Sequence, residues 1–160
     1  MSRNDTDYIV IHCTAGPQSQ TIESIKEYWR SKGWQQVGYH RIIKPNGEVV
    51  QLADDWAITN GVRGYNSRAY HICWIGGMDG DNRTTEQKVA LVREIERACK
   101  LFPAADVCGH RDLSDDLDGD GEVEPHEWVK LCPQFDVKEF MEDTYALKQL
   151  GNEILRKYFG

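Results

Sequence analysis

No CxxC pair occurs in this chain of 160 residues, and its cysteines are odd in number: Cys13, Cys73, Cys99, Cys108 and Cys132. A secreted disulfide framework is a poor reading of that pattern. No apolar stretch is long enough to span a bilayer. The opening MSRNDTDYIVIHC has no long apolar segment behind a basic start, so it does not read as a signal peptide. Basic charge is also short, with 19 Lys and Arg against 26 Asp and Glu and a net charge of -7. No Lys/Arg cluster offsets the deficit, which excludes a nucleic-acid footprint. The HExxH helix signature of zincins is missing. Internal repeats, low-complexity tracts and linkers are missing too. What is left is one ordinary domain over residues 1–160, large enough to bury a core without staples.

The elements that are present can be read from periodicity. Tyr8 to His12, YIVIH, is β-branched and apolar and reads as a buried strand ended by Gly16-Pro17. Thr21 to Lys32 places Ile22, Ile25, Tyr28 and Trp29 on one helical face. His40 to Ile43 and Glu48 to Leu52 flank Pro-Asn-Gly, a hairpin signal. Tyr70 to Ile75 is a second apolar strand. Thr84 to Phe102 is the clearest helix, with Thr84 and Gln87 spaced as a capping box. Val107 to His110 reads as a short strand. Asp136 to Leu150 and Ile154 to Phe159 read as helices with a break at Gly151-Asn152. The alternation predicts an α/β fold, a mixed central sheet flanked by helices.

Among the five histidines, His12 and His110 each end a predicted strand, and Cys132 precedes a helix in KLCPQFD. Two imidazoles and a thiolate suit zinc and leave a fourth position for water. Spacing alone does not select them, since two polar strand ends and a buried thiol would look the same. His40 and His71 carry no assigned chemistry; His71 alternates with apolar strand neighbours and could face a groove. Cys13, Cys73, Cys99 and Cys108 read as small buried hydrophobes. Of the tryptophans, Trp56 and Trp74 are the candidates for stacking on a ligand.

IVIHCTAG, VGYHRIIKPNGEVV, RGYNSRAYHICWIGG, GHRDLS and KLCPQFD follow one another in that order. Together they resemble the type 2 N-acetylmuramoyl-L-alanine amidases, which include phage lysozyme-type amidases and are related to peptidoglycan recognition proteins. The resemblance spans Tyr8 to Phe140. It implies zinc-dependent hydrolysis of the amide between N-acetylmuramic acid and L-alanine, with His12, His110 and Cys132 as zinc ligands. It implies catalytic roles for Tyr39, in VGYH, and for Lys130, two residues before Cys132. A monomer acting on peptidoglycan or muropeptides is expected, without nucleic acid or membrane as partner. It would be cytoplasmic as synthesised and reach the wall by other means. The alternative is a peptidoglycan-binding module without catalysis, but relatives of that kind typically lack the cysteine ligand.

Two features depart from the family pattern. Many members carry a histidine in the segment matching Ala57 to Gly61, here AITNG, and His71 stands where a small residue is common. An acidic segment at 114–127 also reads as an insertion. Within it, Asp116 to Glu127, DLDGDGEVEPHE, follows the EF-hand calcium-loop pattern. Asp116, Asp118 and Asp120 take the first side-chain positions, Gly121 the sharp turn, Glu122 a carbonyl position and Glu127 the closing carboxylate. Calcium there would fix the segment that carries Lys130 and Cys132. A solvated Asp/Gly turn is the plainer alternative.

Overall fold

The computed structural model describes residues 3, 5–115, 117, 123, 125–128 and 131–159. Its strands are β1 (Tyr8–Cys13), β2 (Arg41–Ile43), β3 (Val49–Gln51), β4 (Ala69–Trp74) and β5 (Asp106–Gly109). Its α-helices are α1 (Ile22–Ser31), α2 (Thr85–Leu101) and α3 (Val137–Phe159). The strands form one sheet in the order β3-β2-β4-β1-β5. β1 runs parallel to β4 and β5, β2 runs parallel to β4, and only the edge strand β3 is antiparallel. The mixed α/β architecture expected from the sequence is the one observed.

A strand in the middle of a parallel sheet is covered on both faces, so it must be apolar throughout. Ile9, Val10 and Ile11 of β1 are accordingly 0% exposed. Alternation sorts the side chains between two layers. Ile9, Ile11 and Cys13 join Tyr70, Ile72 and Trp74 against Leu91, Ile95 and Ala98 of α2. On the opposite face Cys73 packs with Ile25 and Trp29 of α1, and Val10 packs with Val62 and Cys108. The register pairs Val10 with His71 and His12 with Cys73. His12 and His71 therefore share that second face.

Local signals set the element ends. Thr84 Oγ1 accepts from the Gln87 backbone N–H at 3.0 Å, and Gln87 Oε1 accepts from the Thr84 N–H at 3.0 Å, completing the capping box of α2. Thr21 caps α1 by accepting from the Ser24 N–H at 3.1 Å. The Pro-Asn-Gly turn closes the β2-β3 hairpin, with Gly47 at φ 88°. Two boundaries differ from expectation. α3 runs without interruption through Gly151-Asn152. A glycine costs a helix interior about 1 kcal/mol, and a helix of 23 residues absorbs that. β5 ends at Gly109, and His110–Leu113 forms a 3-10 turn instead. Among the described residues, no helix is long and apolar enough to cross a membrane.

His40 ties the hairpin side of the sheet to β4. Its Nδ1 accepts the His71 backbone N–H at 2.9 Å, and Nε2 faces the Ala57 carbonyl oxygen at 2.7 Å. The ring stacks on Tyr70 at 4.5 Å between centroids. Burial pushes its pKa from an ordinary 6.5 down to about 4, although the Ala57 carbonyl favours the charged form. In an unfolded chain the imidazole takes up its proton near 6.5, so protonation favours unfolding. This contribution to stability is complete above about pH 6.5 and declines as the pH falls toward about 4. For His40 alone the metal-free protein should lose about 2 kcal/mol between pH 7.5 and pH 5. His71, which burial also pushes down, adds in the same direction. Urea unfolding at the two pH values checks this; equal stability would contradict it.

Candidate active site

Side chains with metal-ligand chemistry converge at the carboxyl ends of the parallel strands, where α/β sheets commonly place their sites. His12, one residue before the end of β1, is only 1% exposed. Its ring centroid lies 4.9 Å from that of His110 and 5.0 Å from those of Tyr39 and His71. Its Nδ1 lies 3.8 Å from Cys132 Sγ. One donor atom each from His12, His110 and Cys132 fall within 4.8 Å of one another. The backbone N–H of Cys13 donates to Cys132 Sγ at 3.1 Å, a contact that favours a thiolate there.

Cys132 arrives from far along the chain, and several contacts hold its loop. The Arg111 N–H donates to the Cys132 carbonyl at 2.9 Å, Trp74 Nε1–H to the Pro133 carbonyl at 3.2 Å, and Gln134 Nε2–H to the Gly77 carbonyl at 3.1 Å. Pro133 lies against Gly109, where a Cβ would sit 2.8 Å from Pro133 Cδ. The same glycine sets His110. Its N–H donates to Asp112 Oδ2 at 2.7 Å, which starts the 3-10 turn that carries the imidazole. β5 and the Cys132 loop are thus fixed to each other before any ligand is considered.

Without a cation, burial pushes the Cys132 thiol up, so it retains its proton. Burial likewise raises the Tyr39 phenol, reinforced by the thiols of Cys73, Cys132 and Cys13. Tyr39 is therefore a hydrogen-bond donor at neutral pH, half-buried beside His12. A groove of about 790 Å³ reaches the cluster at His110. Trp34, Asn60 to Asn66 and Leu113 to Asp115 form its walls.

Residues 2–127 match the family described as N-acetylmuramoyl-L-alanine amidase. The chain belongs to that family. It is 31% identical to the endolysin of Escherichia phage T7 over 147 residues, covering 88% of each chain. The solved endolysin of Thermus scotoductus bacteriophage Ph2119 is 25% identical, with a TM-score of 0.69 over 89% of this chain and 87% of that one. Bumblebee PGRP-SA, at 17% identity and TM-score 0.65 over 89% and 87%, shares the fold. Membership and the phage relatives support a peptidoglycan amidase activity for this chain.

Against this amidase framework the residues expected from sequence separate clearly. His12, His110, Cys132 and Tyr39 come together. Lys130 lies outside the described residues, as do Asp116, Asp118, Asp120 and Glu122 and the side chain of Glu127. Trp74 is not a stacking platform, because it is 0% exposed in the core. Trp56 packs edge-on to Phe102 at 5.7 Å and is not part of the groove wall. The tryptophan that lines the groove is Trp34, which α1 helps to place through a stack on Trp29 at 6.5 Å. His71 does not face the groove: it is fully buried behind His12, with Nδ1 2.9 Å from His12 Nε2.

The Gly109–Pro133 contact gives a sharp expectation. Gly109 has φ of -88°, so alanine meets no backbone strain there, only the proline ring. Gly109→Ala should cost about 1–3 kcal/mol of stability and most of the activity on peptidoglycan, because the Cys132 loop must shift. Thermal unfolding and a wall-lysis assay check it; full activity would contradict the account of the loop.

Proposed function

We propose that this chain hydrolyses the amide between N-acetylmuramic acid and L-alanine in peptidoglycan, using zinc held by His12, His110 and Cys132. The observation that carries the reading is the cluster itself, three ligand-type atoms within 4.8 Å of one another. Tetrahedral zinc with ordinary Zn–N and Zn–S lengths sets its ligand atoms about 3.3–3.8 Å apart. The His12 Nδ1 to Cys132 Sγ separation of 3.8 Å fits that with little movement. A thiol, two imidazoles and an approach from one side are the donor set of a catalytic rather than a structural zinc site. When bound, zinc supplies hydroxide at neutral pH and polarises the carbonyl under attack.

The chain's own groups do the rest. The groove beside His110 receives the substrate and brings its amide to the cluster. Tyr39, kept protonated, donates a hydrogen bond to the oxygen that gains charge as the carbonyl is attacked. Lys130 assists at the same oxygen, a role that rests on the family resemblance. Calcium in the acidic segment rests on the sequence pattern alone. The presence of Cys132 argues against a module that only binds peptidoglycan.

Digestion of purified peptidoglycan tests the reading. New L-alanine amino termini should appear with the glycan strands intact, stop with a chelator and resume with zinc. New reducing ends, or binding without cleavage, would refute it. Tyr39→Phe should lower turnover about tenfold or more while zinc content stays normal. Unchanged turnover would remove Tyr39 from the mechanism. Cys132→Ser should sharply weaken zinc binding, because a neutral hydroxyl replaces a thiolate. Calorimetric titration with zinc measures this, and wild-type affinity in the mutant would exclude Cys132 as a ligand.

A further inference from the structure

A fully buried histidine needs a partner for each ring nitrogen, because an unpaired polar atom inside the core costs free energy. His71 is 0% exposed and has both. Its Nε2 lies 3.0 Å from Asn66 Oδ1 and its Nδ1 lies 2.9 Å from His12 Nε2. From these contacts and those of Asn66 we infer that His71 is a positioning residue. It holds His12 in the tautomer whose bare Nδ1 faces Cys132 and the proposed metal. The inference rests on the zinc reading above for its purpose, but not for its geometry.

The direction of the chain is set at its far end. Asn66 Oδ1 receives the backbone N–H of Gly61 at 3.0 Å and that of Val62 at 2.8 Å. Backbone N–H groups only donate, so the atom facing them is the amide oxygen, and that oxygen only accepts. His71 Nε2 must then carry a hydrogen. The charged groups facing His71 are Arg3 and, when protonated, His40 and His110, and all of them oppose a second proton. Burial opposes it as well, so the ring is neutral and its Nδ1 is bare. His12 Nε2 must therefore donate to His71 Nδ1. A neutral His12 with its hydrogen on Nε2 leaves Nδ1 as a lone pair, 3.8 Å from Cys132 Sγ. Two backbone amides in the loop after β3 thus decide, through Asn66 and His71, which nitrogen of His12 is free to bind a cation. Partners of this kind orient metal-binding imidazoles and raise their basicity.

Gly61 belongs to the same device. A Cβ on residue 61 would lie 2.3 Å from His71 Nδ1 and 2.4 Å from its Cγ. The imidazole of residue 71 occupies the space into which a side chain at 61 would project. The histidine absent from Ala57 to Gly61 and the histidine present at 71 are then one change seen from two strands of the argument: the loop gives up its side chain, and β4 supplies a ring there instead.

The test reads tautomers in the metal-free protein, so it does not depend on zinc. Long-range ¹H–¹⁵N spectra of the wild type should show His12 protonated at Nε2 and bare at Nδ1, and His71 likewise. A His12 proton on Nδ1 would overturn the inference even if zinc binds. His71→Leu keeps an apolar body but removes the acceptor. In that variant the Nε2–H preference of His12 should disappear, and zinc affinity, measured by competition with a chromophoric chelator, should fall about 10–100-fold. Unchanged His12 tautomer and zinc affinity would overturn it. If His71→Leu does not fold, the wild-type spectrum alone decides. Failure of the wild type to bind zinc would refute the metal reading instead, leaving the tautomer result to stand or fall separately.

Discussion

An imidazole buried at the end of a central strand must have both nitrogens engaged, and this constraint organises the structure around His12. One nitrogen is turned to His71 at 2.9 Å and the other to the sulfur of Cys132 at 3.8 Å. The first contact requires a polar ring inside β4, where the remaining residues are apolar and buried. The second requires a thiol brought in from the far end of the chain. Meeting both at once fixes the register of β1 on β4, the glycine at 61 and the close packing of Gly109 on Pro133.

The scaffold supplies rigidity where the site needs it. Parallel strands covered on both faces leave little freedom at their carboxyl ends, and His12 and His110 emerge from two such neighbours, β1 and β5. The Cys132 loop lacks that support from its own secondary structure. It gains it from the Arg111 amide, the Trp74 indole and the Gln134 amide. Trp74 thereby acts on the site from inside the core, by holding the loop rather than by touching substrate. The open side of the cluster leads into the groove walled by Trp34 and the loop that also contains Asn66.

Much of this was legible in the residues, and the limits are physical. β1, β4, the hairpin, α1 and α2 carry short-range signals such as alternation, a Pro-Asn-Gly turn and a Thr-x-x-Gln cap, which act within a few residues. Gly151 misleads because a propensity of about 1 kcal/mol is small beside the hydrogen bonding of a long helix. Trp74 and Trp56 mislead because composition does not say which face of an element meets solvent. His12, His110 and Cys132 are far apart in sequence, and it was the order of motifs, not spacing, that singled them out. The pairing of Gly61 with His71 was visible only as two unrelated departures. Their connection is a contact in space between a loop and a strand, which no local pattern encodes.

X-ray absorption at the zinc edge of the loaded protein tests the central claim most directly. The account predicts one sulfur at about 2.3 Å, two imidazole nitrogens at about 2.0–2.1 Å and one further light-atom ligand. A coordination sphere without sulfur, or one made of oxygens alone, would contradict it.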